Sequence, residues 1–147
     1  MENQVSKIGI HVYTKSGIEA VRVYKEAFSL EVGEPWLDDE GRLIHQELRR
    51  NGELFMSVSD EKHHDDEIYK TYQDSSDCFR GNMMYTVYFH NEHDMRRAYE
   101  LLHKNGNPNT GLRAEGHSSI SCAMFDRFGV LWHLCVPKDW NASFVPK

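Results

Sequence analysis

Cysteine is scarce in this chain. Cys78, Cys122 and Cys135 are odd in number and form no CxxC pair, so neither a disulfide framework nor a thiolate zinc site is expected, and reduced, buried thiols are. No apolar run reaches the 18 or more residues that a membrane span needs. The first residues, MENQVSKIGIHVY, lack the apolar core of a secretory signal, and a cytoplasmic protein is expected. Positive charge is also short: 17 Lys and Arg against 23 Asp and Glu leave a net charge of −6. A nucleic-acid partner would want a basic stripe, so none is expected, and neither is a membrane partner. Low-complexity segments are absent as well.

What is present is the material of one ordinary globular domain. The chain has 147 residues, 39% hydrophobic and 12% aromatic, which is enough to bury a core. Its organising stretch is Arg42–Ser59, in which RLIHQELRR and ELFMSVS flank Asn51-Gly52. Asn-Gly between alternating runs marks a two-residue hairpin turn, because both residues tolerate the positive φ that the turn demands. An unbroken register from that turn pairs Arg50 with Glu53, Arg49 with Leu54, Leu48 with Phe55, Glu47 with Met56 and His45 with Val58. Alternation then puts His45, Glu47, Met56 and Val58 on one face, and Ile44, Leu48 and Phe55 on the other. The second face suits packing under a helix, and the first suits a site.

The chain before and after this hairpin repeats one order. Ile8–Thr14 alternates as a strand. Ser16 and Glu19 form a capping box for a helix whose Ile18, Val21, Tyr24 and Phe28 recur at helical spacing. Leu30–Trp36 reads as a strand ended by Pro35 and a turn cluster, and the hairpin follows. After a polar connector, 60–82, come a strand over Met83–Phe89, a helix capped by Asp94 and stopped by Gly106, and a loosely defined strand within 107–116. A final hairpin, Ser119–Phe125 with Val130–Val136, turns on Asp126-Arg127-Phe128-Gly129, and a tail follows that docks Trp140. The fold expected is α+β: two βαβββ modules, about 8–59 and 83–136, forming a curved mixed sheet as a cup with helices outside, in a single domain over 1–147.

Three stretches resemble the vicinal-oxygen-chelate superfamily, which includes glyoxalase I, bleomycin-resistance proteins and extradiol dioxygenases: GIEAVRVYKEAF (17–28), LIHQELRRNGELFMSVSD (43–60) and FDRFGVLWHL (125–134). They are most similar to its PhnB-like branch, with a helix ending in an aromatic pair, a His-x-Glu-Leu hairpin ending in Asp, and an Asp-x-Phe-Gly-x-x-Trp close. Ser29 stands where that branch usually has Gly after the helix, a C-cap cost. Metal enzymes of the superfamily take one ligand from the first and last strand of each module. Carried over, those positions are His11 (or Gly9), Met56, Tyr88 (or Tyr85) and His133. That set is two imidazoles, a thioether and a phenol, a poor match to a hard or borderline cation. The resemblance therefore implies a cup that binds a small molecule, without a complete metal site and with no cofactor, in a protein expected to pair as a homodimer. The alternative is a lyase, isomerase or dioxygenase holding a weak divalent metal through His11, Glu47 and His133.

The residues expected to line the site are His11, Tyr13, His45, Glu47, Met56, Tyr88, Cys122 and His133. His45 and Glu47, two apart on a strand, can act as base and orienter when they share a pocket. Cys122 falls opposite His133 if the last hairpin has a four-residue loop, though structural burial fits a thiol there better. The clusters His63–Glu67 and His90–Asp94 read as solvated loops and helix caps. Tyr24, Phe55 and Trp132 read as core.

Overall fold

The computed structural model describes residues 4–64, 67, 70, 83–104, 107–108, 111–116 and 118–138. The chain divides into two units, 1–73 and 74–147, with the boundary inside the polar connector.

In the first unit β1 (His11–Thr14) leads into α1 (Gly17–Phe28), followed by β2 (Glu31–Val32), β3 (Trp36–Leu37), β4 (Leu43–Arg50) and β5 (Glu53–Asp60). The sheet order is β1-β5-β4-β2, with β3 also on β4. β1 runs parallel to β5, which requires the crossover that α1 supplies, while β4 and β5 are an antiparallel hairpin. α1 packs on one face through Ala20, Val21, Tyr24 and Ala27, all buried. Its start lies tight against the sheet. A Cβ on Gly17 would stand 3.2 Å from the Leu43 Cβ and 3.3 Å from the Asp60 nitrogen. Under α1 lie Val12, Leu48, Met56 and Val58, the last three with no exposure.

The second unit repeats the order: β6 (Tyr85–Tyr88), α2 (Glu92–His103), β7 (Asn107–Pro108), β8 (Arg113–Glu115), β9 (Ser118–Phe125) and β10 (Leu131–Pro137). Its sheet runs β6-β10-β9-β7, with β8 also on β9, and β6 is parallel to β10. The architecture is α+β, with one mixed sheet and one 12-residue α-helix packed on it in each unit, beside a short 3-10 turn at Glu61–His63 in the first, as the repeated element order predicts.

Local chemistry explains where the expected details shift. Asn51 and Gly52 take φ of 51° and 78°, the turn that their identities demand. Two pairs beyond it, however, a bulge at Phe55 slips the register, so that Leu48 faces Met56 and Glu47 faces Ser57. The expected pairing of Glu47 with Met56 and of His45 with Val58 is thereby corrected. Ser16 sits at the helix start without a side-chain cap, so the capping box does not form, and Ile18 is 56% exposed rather than core. The strand expected over Leu30–Trp36 is broken into β2 and β3. The second helix is capped by Asn91, whose side chain accepts from the Asp94 N–H, and not by Asp94. The last hairpin loop has five residues, not four, which sets Cys122 opposite Leu134 and His133 opposite Ala123. Gly106, Trp140 and most of 60–82 lie outside the described residues.

The Asp126 turn shows why its motif reads as it does. Asp126 is buried; Oδ1 accepts from the Phe128 and Val130 N–H groups at 2.8 and 3.0 Å, and Oδ2 accepts from the indole Nε1 of Trp132 at 2.8 Å. One carboxylate thus closes the loop and satisfies a wholly buried tryptophan.

Candidate functional site in the first unit

Alternation along β1, β4 and β5 builds the face that α1 leaves open. His11 pairs with Ser57, and Ser57 with Glu47, giving one cross-strand row. Tyr13 pairs with Ser59 in the next row, and Trp36 of β3 pairs with His45. The central strand contributes only two serines here, so rings from the flanking strands meet above it. The His11 and His45 ring centroids are 5.5 Å apart and stacked, Tyr13 lies 4.6 Å from His11, and His64 meets Tyr13 edge-on at 4.6 Å.

Both nitrogens of His11 are engaged. Nδ1 lies 2.7 Å from the Ser57 hydroxyl oxygen, and Nε2 2.7 Å from that of Ser59. Ser59 in turn donates to the Ile44 carbonyl at 2.6 Å. A carbonyl only accepts, so the Ser59 proton is committed to Ile44 and its oxygen must accept from His11 Nε2–H. In the neutral ring Nδ1 is then the acceptor, and Ser57 O–H donates to it. Burial, and then the neighbouring His45, lower the His11 pKa below its ordinary 6.5 and favour that neutral form. Glu47 bonds Arg49, which is the main reason its carboxyl pKa is lowered; it is not bonded to His45.

Of the residues expected to line a site, His11, Tyr13, His45 and Glu47 share this open face. Met56 does not: the bulge turns it under α1, where it is fully buried beside Leu48. In the second unit alternation puts Tyr88 and His133 on the side away from α2. Cys122 falls on the opposite side with Met124 and Leu134, and burial pushes its thiol pKa up to about 11. Ser57, Ser59, Trp36 and His64 were not legible as site residues. Ser57 and Ser59 join the face only once the bulge is known, and His64 stood in a stretch that reads as a solvated loop.

No protein-family model matches the sequence, and no curated protein matches it either. Solved structures do. A PhnB protein of Bacillus cereus, which carries the name of a 3-demethylubiquinone-9 3-methyltransferase, is 19% identical with a TM-score of 0.69, over 89% of this chain and 99% of that one. A Pseudomonas aeruginosa protein is 16% identical with a TM-score of 0.67, over 92% and 100%. A glyoxalase/bleomycin resistance protein/dioxygenase family enzyme of Burkholderia phytofirmans is 8% identical with a TM-score of 0.60, over 88% and 96%. With its paired βαβββ order, each first strand parallel to its last, the chain has the vicinal-oxygen-chelate fold of the PhnB-like and glyoxalase/bleomycin resistance proteins.

Proposed function

We propose that the protein binds a small molecule on the open faces of its sheets, without a complete metal site. The observation that carries this is the state of His11. A first-strand metal ligand must present a free nitrogen lone pair, whereas both His11 nitrogens are tied to serines within the sheet. The other expected donors fit no better. Glu47 is bonded to Arg49, and Met56 is wholly buried under α1, away from the open face of β5. Among the described residues no three His, Cys, Asp or Glu side chains gather as a metal-holding group. What the face offers instead is ring surface: Trp36 is 65% and Tyr13 42% exposed. Flat, partly apolar ligands suit such a surface. The names of the similar structures, PhnB and glyoxalase/bleomycin resistance protein, support a small-molecule role. The same reading takes a cytoplasmic homodimer with no nucleic-acid or membrane partner.

The test is a small-molecule panel read by thermal shift and calorimetry, on the native protein and on Tyr13→Ala, His45→Ala and Trp36→Ala. A ligand that loses about tenfold in affinity in these variants, with no loss of melting temperature in its absence, supports the reading. Hits indifferent to all three variants would move the site elsewhere.

A further inference from the structure

We propose that Ser57 is an acyl-accepting nucleophile, with His11 as its base and Ser59 as the positioning residue that holds His11 in the required tautomer. This goes beyond ligand binding and does not depend on it.

A nucleophilic serine needs a base within hydrogen-bond reach and a third group that orients the base. All three are present. The Ser57 oxygen is 2.7 Å from His11 Nδ1, the third group is 2.7 Å from Nε2, and that group is itself anchored 2.6 Å from a main-chain carbonyl. The chain of bonds is directional. Because Ile44 can only accept, the proton order is fixed from Ser59 back to Ser57, and the acceptor nitrogen faces the hydroxyl it would deprotonate. Parallel pairing of β1 with β5 holds the dyad on rigid strands and not on loops. Burial, and then His45, lower the His11 pKa from its ordinary 6.5, which favours the neutral ring whose Nδ1 can accept the Ser57 proton. The groups facing it are Tyr13 on its own strand, Ser57 and Ser59 on β5, and His45 and Glu47 on β4. Ser57 is only 6% exposed, and the His11 ring bonded to it forms part of its cover. The reagent must therefore be small and must arrive from the side opposite α1.

The substrate class that fits is a small activated carboxylic ester or thioester. The Ser57 oxygen attacks the carbonyl carbon as its proton passes to His11 Nδ1. The tetrahedral adduct collapses, the C–O or C–S bond breaks, and the leaving alkoxide or thiolate takes that proton from His11. Acyl-Ser57 and an alcohol or thiol result. Water, deprotonated by the same nitrogen, then releases the carboxylic acid and restores the hydroxyl.

The experiment treats the whole protein with p-nitrophenyl acetate and, separately, with a small alkyl fluorophosphonate, and maps adducts by peptide mass. We expect one adduct, on Ser57, formed at least tenfold faster in the native protein than in the urea-unfolded chain. Ser57→Ala should lose it. Ser59→Ala should slow it about tenfold or more, and Ser59→Thr, which keeps a hydroxyl, should restore most of the rate. Labelling no faster than in urea, an adduct on another residue, or equal rates in Ser59→Ala and the native protein would each overturn the proposal. If Ser57→Ala does not fold, the mapped position in the native protein decides. Affinities from the ligand panel are measured apart from this chemistry, so either reading can fail alone.

Discussion

At the scale of single residues, three positions show how local chemistry decides energy. Ser29 closes α1 at φ 53° and ψ 50°, the left-handed region, so that the Leu30 N–H can reach the Lys25 carbonyl at 3.0 Å. A side chain there carries strain that glycine does not, partly offset by glycine's greater freedom when unfolded. Ser29→Gly should therefore stabilise the protein by about 0.5–1 kcal/mol in chemical denaturation. Asp126 is the opposite case. Removing it strands the buried Trp132 N–H and two loop N–H groups, so Asp126→Ala should cost about 3 kcal/mol. Asp126→Asn should recover only part of this, because the amide has one acceptor oxygen for the loop and the indole together. His11 supplies a check by nuclear magnetic resonance. Its imidazole should titrate below 6.5 and show the Nε2–H tautomer when neutral. The sign for stability follows: the unfolded chain takes up that proton first, so the His11 contribution is present above about 6.5 and is lost as pH falls from there through the lower folded pKa. A midpoint above 6.5 would contradict the bonding pattern.

Elements were legible where one short-range rule governs them. The span of α1, the Asn51-Gly52 turn and the presence of the final hairpin, though not its register, follow from periodicity and turn chemistry, which operate within a few residues. What was not legible depends on partners far along the chain. The Phe55 bulge is such a feature: nothing within ELFMSVS announces that one residue is unpaired, yet it moves Met56 from the expected site to the core and brings Ser57 and Ser59 to the open face. The same blindness hid the split of β2 from β3, since both are defined by pairing with β4. The hairpin turn can be tested as an element. Asn51→Ala and Gly52→Val place side chains unsuited to φ of 51° and 78°, and each should cost about 1 kcal/mol or more, with the glycine change the larger. Arg50→Ala, exposed and outside the turn, should cost less than either. Equal denaturation midpoints for the three would show that the turn does not set the register.

For the whole molecule, the resemblance carried the fold, and the chemistry is a separate question, because a fold constrains element order while a site depends on a few side chains. Metal content is where that distinction is measurable. A divalent cation of the zinc or iron type wants three or four nitrogen, sulfur or oxygen donors at about 2.0–2.3 Å, commonly with a carboxylate among them. His11 could join such a set only by giving up a serine bond at one ring nitrogen, and Glu47 only by leaving Arg49. Each exchange trades a made bond for a new one, and Met56, fully buried under α1, brings no donor to the open face. Protein purified without a polyhistidine tag and dialysed should thus hold well under one equivalent of zinc, iron, nickel or manganese by elemental analysis. Adding those metals should raise the melting temperature no more in the native protein than in His11→Ala or His133→Ala. Tight one-to-one binding, lost in both variants, would show that the serine bonds of His11 yield to a metal, and would replace the binding reading with a metal-dependent lyase, isomerase or dioxygenase.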